Sequence, residues 1–166
     1  MHRETGSDPT AGNPVLTGGP GPRIVWLDEP AAADPGLTGA KAANLAAARL
    51  KGLPVYDGFV LTTYGTSALE HADAVRASLP DAPLRRAWRT LSADGARRLA
   101  VRSSSSVEDS TTSSMAGRFV SVLHVDGWDA FVDATFEVID SAASTELGDA
   151  PMAVLVQPMA DALVGG

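Results

Sequence analysis

No cysteine occurs in the 166 residues. Disulfides and thiolate metal ligation are therefore excluded, and the composition fits a reducing compartment without requiring one. No apolar run approaches the roughly 18 residues needed to span a bilayer. The N-terminus lacks a charged-then-apolar export pattern, so a cytoplasmic protein is expected. Lysine is scarce, with only Lys41 and Lys51 among thirteen basic residues. His2, His71 and His124 are too scattered to suggest a metal site. There is no Gly-x-x-x-x-Gly-Lys-Ser/Thr phosphate loop. No Gly-x-Ser-x-Gly elbow frames a serine, which leaves hydrolase chemistry little support.

What is present fits one globular domain. Hydrophobic residues make up 45% of the chain, enough to build a core at this length. The net charge of −7 hides an asymmetry. Seven arginines lie between Arg76 and Arg102, against Asp81 and Asp94, whereas from Ser103 onward ten carboxylates face only Arg118. A pI near 4.8 argues against general nucleic-acid binding, which demands a broad basic face. The arginine-rich stretch reads as a solvated helix face, with contact to a polyanion or an acidic partner as the alternative.

Residues 1–22 are rich in Gly, Pro, Thr and Ser and read as a flexible leader, leaving 23–166 as the folded part. Ile24-Val25-Trp26-Leu27 predicts a first strand. Thr38 is placed to cap a helix beginning at Gly39, with Ala42, Leu45, Ala46 and Leu50 as its apolar stripe and Gly52 as its stop. Phe59-Val60-Leu61 predicts a second strand, with Thr62 or Thr63 capping a helix that runs to about Ser78. A further helix carries Leu84, Trp88 and Leu91. Strands are expected at Leu99–Val101 and at Phe119–Val125, with Phe119, Ser121, Leu123 and Val125 on one face. Trp128 to about Ala143 has helical spacing, and Met152 to Met159 reads as a buried strand. Trp26, Trp88 and Trp128 read as core anchors. This order of elements predicts an α/β (α+β mixed) fold built on a mixed sheet with flanking helices.

Two segments carry the chemistry. In Gly39-Ala40-Lys41-Ala42-Ala43-Asn44-Leu45, the lysine sits in the first turn of a helix. An isolated cation there opposes the macrodipole by about 0.3–1 kcal/mol. A bound phosphate reverses that sign, because exposed N–H groups and the ammonium then act together. In Leu99-Ala100-Val101-Arg102-Ser103-Ser104-Ser105-Ser106-Val107-Glu108-Asp109, an arginine ends an apolar strand beside hydroxyls and can fork onto phosphate oxygens. The serines from Ser103 to Ser106 and onward predict a loop able to close over a ligand as a lid. Glu108 or Asp109 is placed to pair with Arg102 or Lys41 when no ligand is bound. The alternatives are a solvated lysine at a helix start and a surface loop with a structural Arg–Asp pair.

With Gly52-Leu53-Pro54-Val55, Gly58-Phe59-Val60-Leu61-Thr62-Thr63, Ala116-Gly117, Leu123-His124-Val125 and Val154-Leu155-Val156-Gln157-Pro158-Met159, these segments together resemble one family. It is the N-terminal nucleotide-binding domain of the phosphoenolpyruvate synthase and pyruvate phosphate dikinase family, a domain shared by rifampin phosphotransferases. The resemblance runs from about Leu37 to Gly166. It implies the first lobe of an ATP-grasp-like domain, with ATP and Mg2+ as cofactors. Lys41, Arg102, Ser103, Ser104, Gln157 and Met159 are the implied nucleotide-binding residues, and Arg102 is the implied catalytic one. The strand ending at Met159 would lead to a hinge near the adenine. In such enzymes a phosphoryl group passes from ATP to a histidine on a separate domain, and then to pyruvate or another acceptor.

The sequence departs from that pattern where Arg118, Val120 and Ser121 stand in place of the Gln, the acidic residue and the Thr that usually follow Ala-Gly. The segment from Thr63 to Leu99 is shorter than the family leads one to expect. The second lobe with its acidic metal ligands, the phosphohistidine domain and the substrate domain are expected to lie outside this chain. A second chain completing the cleft is one possible partner. The competing functional reading is a non-catalytic nucleotide-binding or interaction module derived from the same lobe.

Overall fold

The apolar runs Phe59–Leu61 and Met152–Val156 become interior strands, while the β-branched and aromatic Ile24-Val25-Trp26 forms an edge. The computed structural model describes residues 23–70, 82–105, 120–143 and 152–160. Its elements are β1 (Ile24–Trp26), a 3-10 turn (Pro30–Ala33), α1 (Pro35–Leu50), β2 (Phe59–Leu61), α2 (Thr63–Glu70), α3 (Ala82–Ser92), β3 (Leu99–Ser105), β4 (Ser121–Val125), α4 (Trp128–Ala143) and β5 (Met152–Pro158). The strands form one five-stranded sheet in the order β1-β2-β5-β3-β4. The mixed α/β class expected from the sequence holds. Every ladder in the sheet is antiparallel, however, where a mixed sheet was expected.

Strand alternation sorts the side chains onto two faces. Leu99 and Val101 share one face with Phe59, Leu61, Val154 and Val156, and α3 and α4 cover it with Leu84, Trp88, Phe131 and Ile139. Val60, Ala153 and Leu155 point to the other face, where the alanines of α1 and the 3-10 turn pack with Val25 and Leu27. Small side chains such as Ala42 and Ala46, both fully buried, let α1 lie close against the sheet. Trp88 is buried, while Trp26 and Trp128 are partly buried against the first core. Trp26 meets Phe59 edge-on, and Trp88 and Trp128 meet each other edge-on. On α3, Arg85, Arg86 and Arg89 are exposed, with Arg85 stacked over Trp128 at 4.9 Å and Arg89 paired to Asp94.

Several local expectations change. Asp34 caps the first turn of α1 by accepting from the Gly36 amide, and Pro35 occupies the first helical position. Thr38 does not cap. Its buried hydroxyl donates backward to the carbonyls of Ala32 and Asp34. The helix is interrupted at Gly39 (φ 76°, ψ 163°) and restarts after it. Thr62 does act as a cap, accepting from the Gly65 amide at 3.3 Å. Thr66 then donates to the Met152 carbonyl and ties α2 to the start of β5.

In β4 the register against β3 slips by one residue between the Val101–Val122 and Leu99–Val125 pairs. His124 takes the strain at φ 57°, so Val125 turns into the core while Ser121 and Leu123 stay on the opposite, exposed side. The expected common face of Ser121, Leu123 and Val125 is broken there. Phe119, Arg118, Glu108, Asp109, His2, His71, Ala116-Gly117 and the leader lie outside the described residues. No helix among the described residues is long and apolar enough to cross a membrane.

Candidate nucleotide site

The sheet brings the two cation-bearing segments together across a sequence separation of 62 residues. β3 does not end at Arg102. It continues through Ser105 because β5 supplies a partner for each residue, Arg102 opposite Leu155, Ser103 opposite Val154 and Ser104 opposite Ala153. Ser103, Ser104 and Ser105 are therefore buried strand residues, in place of the loop that their composition predicts. Tertiary pairing overrides their weak strand preference.

The register decides which of the predicted residues meet. Arg102 and Ser104 share the α1 face with Leu155 and Ala153. Gln157, opposite Ala100, lies on that face too, and Met159 follows it just past the strand. Lys41 leans onto the same end of β3, its Nζ donating to the Ser103 carbonyl at 3.1 Å. Ser103 itself alternates to the α4 side, where its hydroxyl is buried without a hydrogen-bond partner among the described residues. Arg102, Ser104 and Gln157 thus share one face, Lys41 reaches it from α1, Met159 lies beyond the end of β5, and the Ser103 side chain is on the other face.

Two donors expected to be free are engaged. Beyond its contact with Ser103, Lys41 has further interactions in the structure. The Ala42 amide, in the first turn after the break, donates to Ser104 Oγ at 3.1 Å in a buried contact. Arg102 is different. It is half-buried, and its Nε is fully shielded yet has no partner among the described residues. A shielded neutral donor left unmet costs of order 1–3 kcal/mol, and a charged one such as a guanidinium N–H more.

At the far end, where β5 leaves the sheet beside the start of β3, Tyr56, Asp57, Arg97, Arg98, His124 and Met159 line an open cleft of about 550 Å³. The Met159 amide is held by the Arg98 carbonyl at 2.9 Å. Gln157 Nε2 reaches the Tyr56 carbonyl at 3.4 Å. The 51–58 loop that forms one wall is itself held by Arg49, which donates to the Val55 carbonyl and pairs with Asp57. Sequence reasoning missed Tyr56 and Arg49. A tyrosine in a Pro/Gly-flanked loop and an arginine in a last helical turn carry no pattern that marks them.

Residues 75–166, which contain β3, β4, α4 and β5, match the sequence family described as the pyruvate phosphate dikinase AMP/ATP-binding domain. The chain belongs to this family. A search of curated proteins finds no match. The matched span holds Arg102, Ser103, Ser104, Gln157 and Met159, while Lys41 precedes it and joins the site only through the fold. As a pyruvate phosphate dikinase-type AMP/ATP-binding domain, the chain has an adenine nucleotide as its ligand class, and the parent family is of kinase type. Among the described residues no three His, Asp or Glu side chains gather to hold a metal ion.

Proposed function

We propose that the nucleotide lies along the α1 face of β3 and β5, its triphosphate at Lys41 and Arg102 and its base toward Gln157 and the Met159 cleft. The observation that carries this placement is the shielded, partnerless Arg102 Nε, on the same face as Lys41 and inside the family's nucleotide-binding span. A phosphate oxygen at that N–H would satisfy a buried donor and gain a charge-assisted bond in one step. The four residue-to-residue steps from Ser103 back to Leu99 cover about 13 Å of strand, which suits a nucleotide extended between the cations and the cleft.

On this basis the domain is the ATP-binding part of a phosphotransferase of the phosphoenolpyruvate synthase type. Arg102 holds the phosphates in a planar fork and offsets charge that spreads over the γ-oxygens as the phosphoryl group departs. Lys41 adds a compact charge beside it. The acceptor would be a histidine of another domain, then pyruvate or a related compound. Magnesium, when bound with ATP, would neutralise the β- and γ-oxygens. Its ligands are expected from a second lobe, in this or another chain.

Calorimetric titration with ATP, with and without magnesium, tests the placement. Saturable binding is expected, weakened at least tenfold by Arg102→Met and by Lys41→Ala. Undiminished binding in the Arg102→Met chain would remove the anion site from this face.

A further inference from the structure

We propose that Ser104 is a positioning residue. Its hydroxyl caps α1 from the strand beneath the helix and thereby sets where the Lys41 ammonium stands, without touching the nucleotide. This role rests on the nucleotide placement proposed above.

The need for such a cap follows from the break in α1. Once the helix restarts beyond Gly39, the amides of its new first turn have no acceptor within the helix. The residue at the break normally supplies one from its own side chain, bonding the third amide of the turn. Glycine has no side chain to offer. Ser104 Oγ takes over that task, accepting from the Ala42 amide at 3.1 Å from a residue that is 0% exposed. The cap therefore comes from 62 residues along the chain, and from a strand instead of the preceding turn.

The approach is as close as the backbone permits. A Cβ on Gly39 would lie 2.2 Å from the Ser104 carbonyl oxygen and 2.5 Å from its hydroxyl. Glycine at this point lets the helix start rest directly on β3, and the Ser104 hydroxyl then fixes its height and rotation. Lys41 belongs to the same turn and reaches the Ser103 carbonyl at 3.1 Å. Its ammonium is placed by the turn that Ser104 holds. The hydroxyl keeps an O–H that could donate to a phosphate, but Ser104 is 0% exposed beneath the helix start, so no phosphate reaches it unless the helix lifts away. The same geometry that makes Ser104 a cap removes it from the ligand's reach.

The test compares adenine nucleotide binding in the full chain for wild type, Ser104→Ala, Lys41→Arg and the double variant, together with amide exchange at Ala42 without nucleotide. Lys41→Arg keeps a cation, so its affinity stays measurable. Ser104→Ala is expected to speed exchange at Ala42 and to weaken ATP binding about five- to tenfold. In the Lys41→Arg background the same change is expected to cause a clearly smaller loss, since the ammonium it positions is gone. Equal losses in both backgrounds would mean that Ser104 contacts the nucleotide directly or acts only on overall stability, and would overturn the proposal. Unchanged affinity, or unchanged exchange at Ala42, would overturn it as well. Should Ser104→Ala not fold, Ser104→Cys serves in its place, being close in size but a weak acceptor. Absence of ATP binding by the folded wild-type chain would instead defeat the nucleotide placement itself.

Discussion

At Gly39 the backbone adopts φ 76° and ψ 163°, a region essentially reserved for glycine, and the strand Ser104 stands where a side chain would go. Both effects act on any replacement. Gly39→Ala is expected to lower stability by about 1–3 kcal/mol from conformation alone, with the clash against the Ser104 backbone adding to it. Urea denaturation of the variant measures the sum, and a loss within error of zero would mean that the helix start is not seated on β3. The sequence marks Gly39 as the beginning of a helix, and α1 does restart there. It does not mark the positive φ, because that value reflects how the helix must turn to lie on Ser104 of a strand far along the chain. Thr38 shows the same limit from the other side. Its type suits a cap, yet Pro35 and Asp34 begin the helix a turn earlier and leave Thr38 buried, bonding backward.

Between α1 and β2 the loop 51–58 has few buried contacts of its own, and Arg49 holds it from the last turn of the helix. Arg49→Ala is expected to cost under about 1 kcal/mol of global stability, as half-exposed ion pairs do. Its larger effect falls locally, with faster amide exchange and easier proteolysis confined to residues 53–58. Uniform loosening of the whole chain in the same experiment would contradict a local latch. The pattern of α4 was plain in the sequence, and its bounds at Trp128 and Ala143 match. The serine run was not. Nothing in Ser103-Ser104-Ser105 favours a strand, and only the neighbouring β5, which pairs with all three, and the Val120 carbonyl, which accepts from the Ser103 amide, hold it extended. The bulge at His124 was equally invisible, since a one-residue slip depends on what the partner strand presents.

Across the whole molecule, the last strand in sequence occupies the centre of the sheet, between β2 and β3. Neither core face is complete until β5 arrives, so the two halves of the chain fold as one unit. Phe59 shows how that unit is held. It is 0% exposed and meets Trp26 of β1 and Phe131 of α4 edge-on, at 5.6 and 6.3 Å between centroids. Phe59→Ala is expected to cost about 3–5 kcal/mol and to preserve a single cooperative transition by circular dichroism. A two-step unfolding curve would show that the faces separate.

The amino-acid sequence determined the elements whose signals are local. The periodicity of α1, α3 and α4, the apolar runs of β2 and β5, and the scarce Lys41 and the strand-borne Arg102 could all be read along the chain. Several short segments in order sufficed to suggest the family to which residues 75–166 prove to belong. The fold alone decided which side chains share a face. A strand's side chains alternate with period two, so the register between β3 and β5 sends Arg102 and Ser104 toward α1 and Ser103 away from it. That register is set by residues some fifty positions apart in the sequence, and no local pattern encodes it.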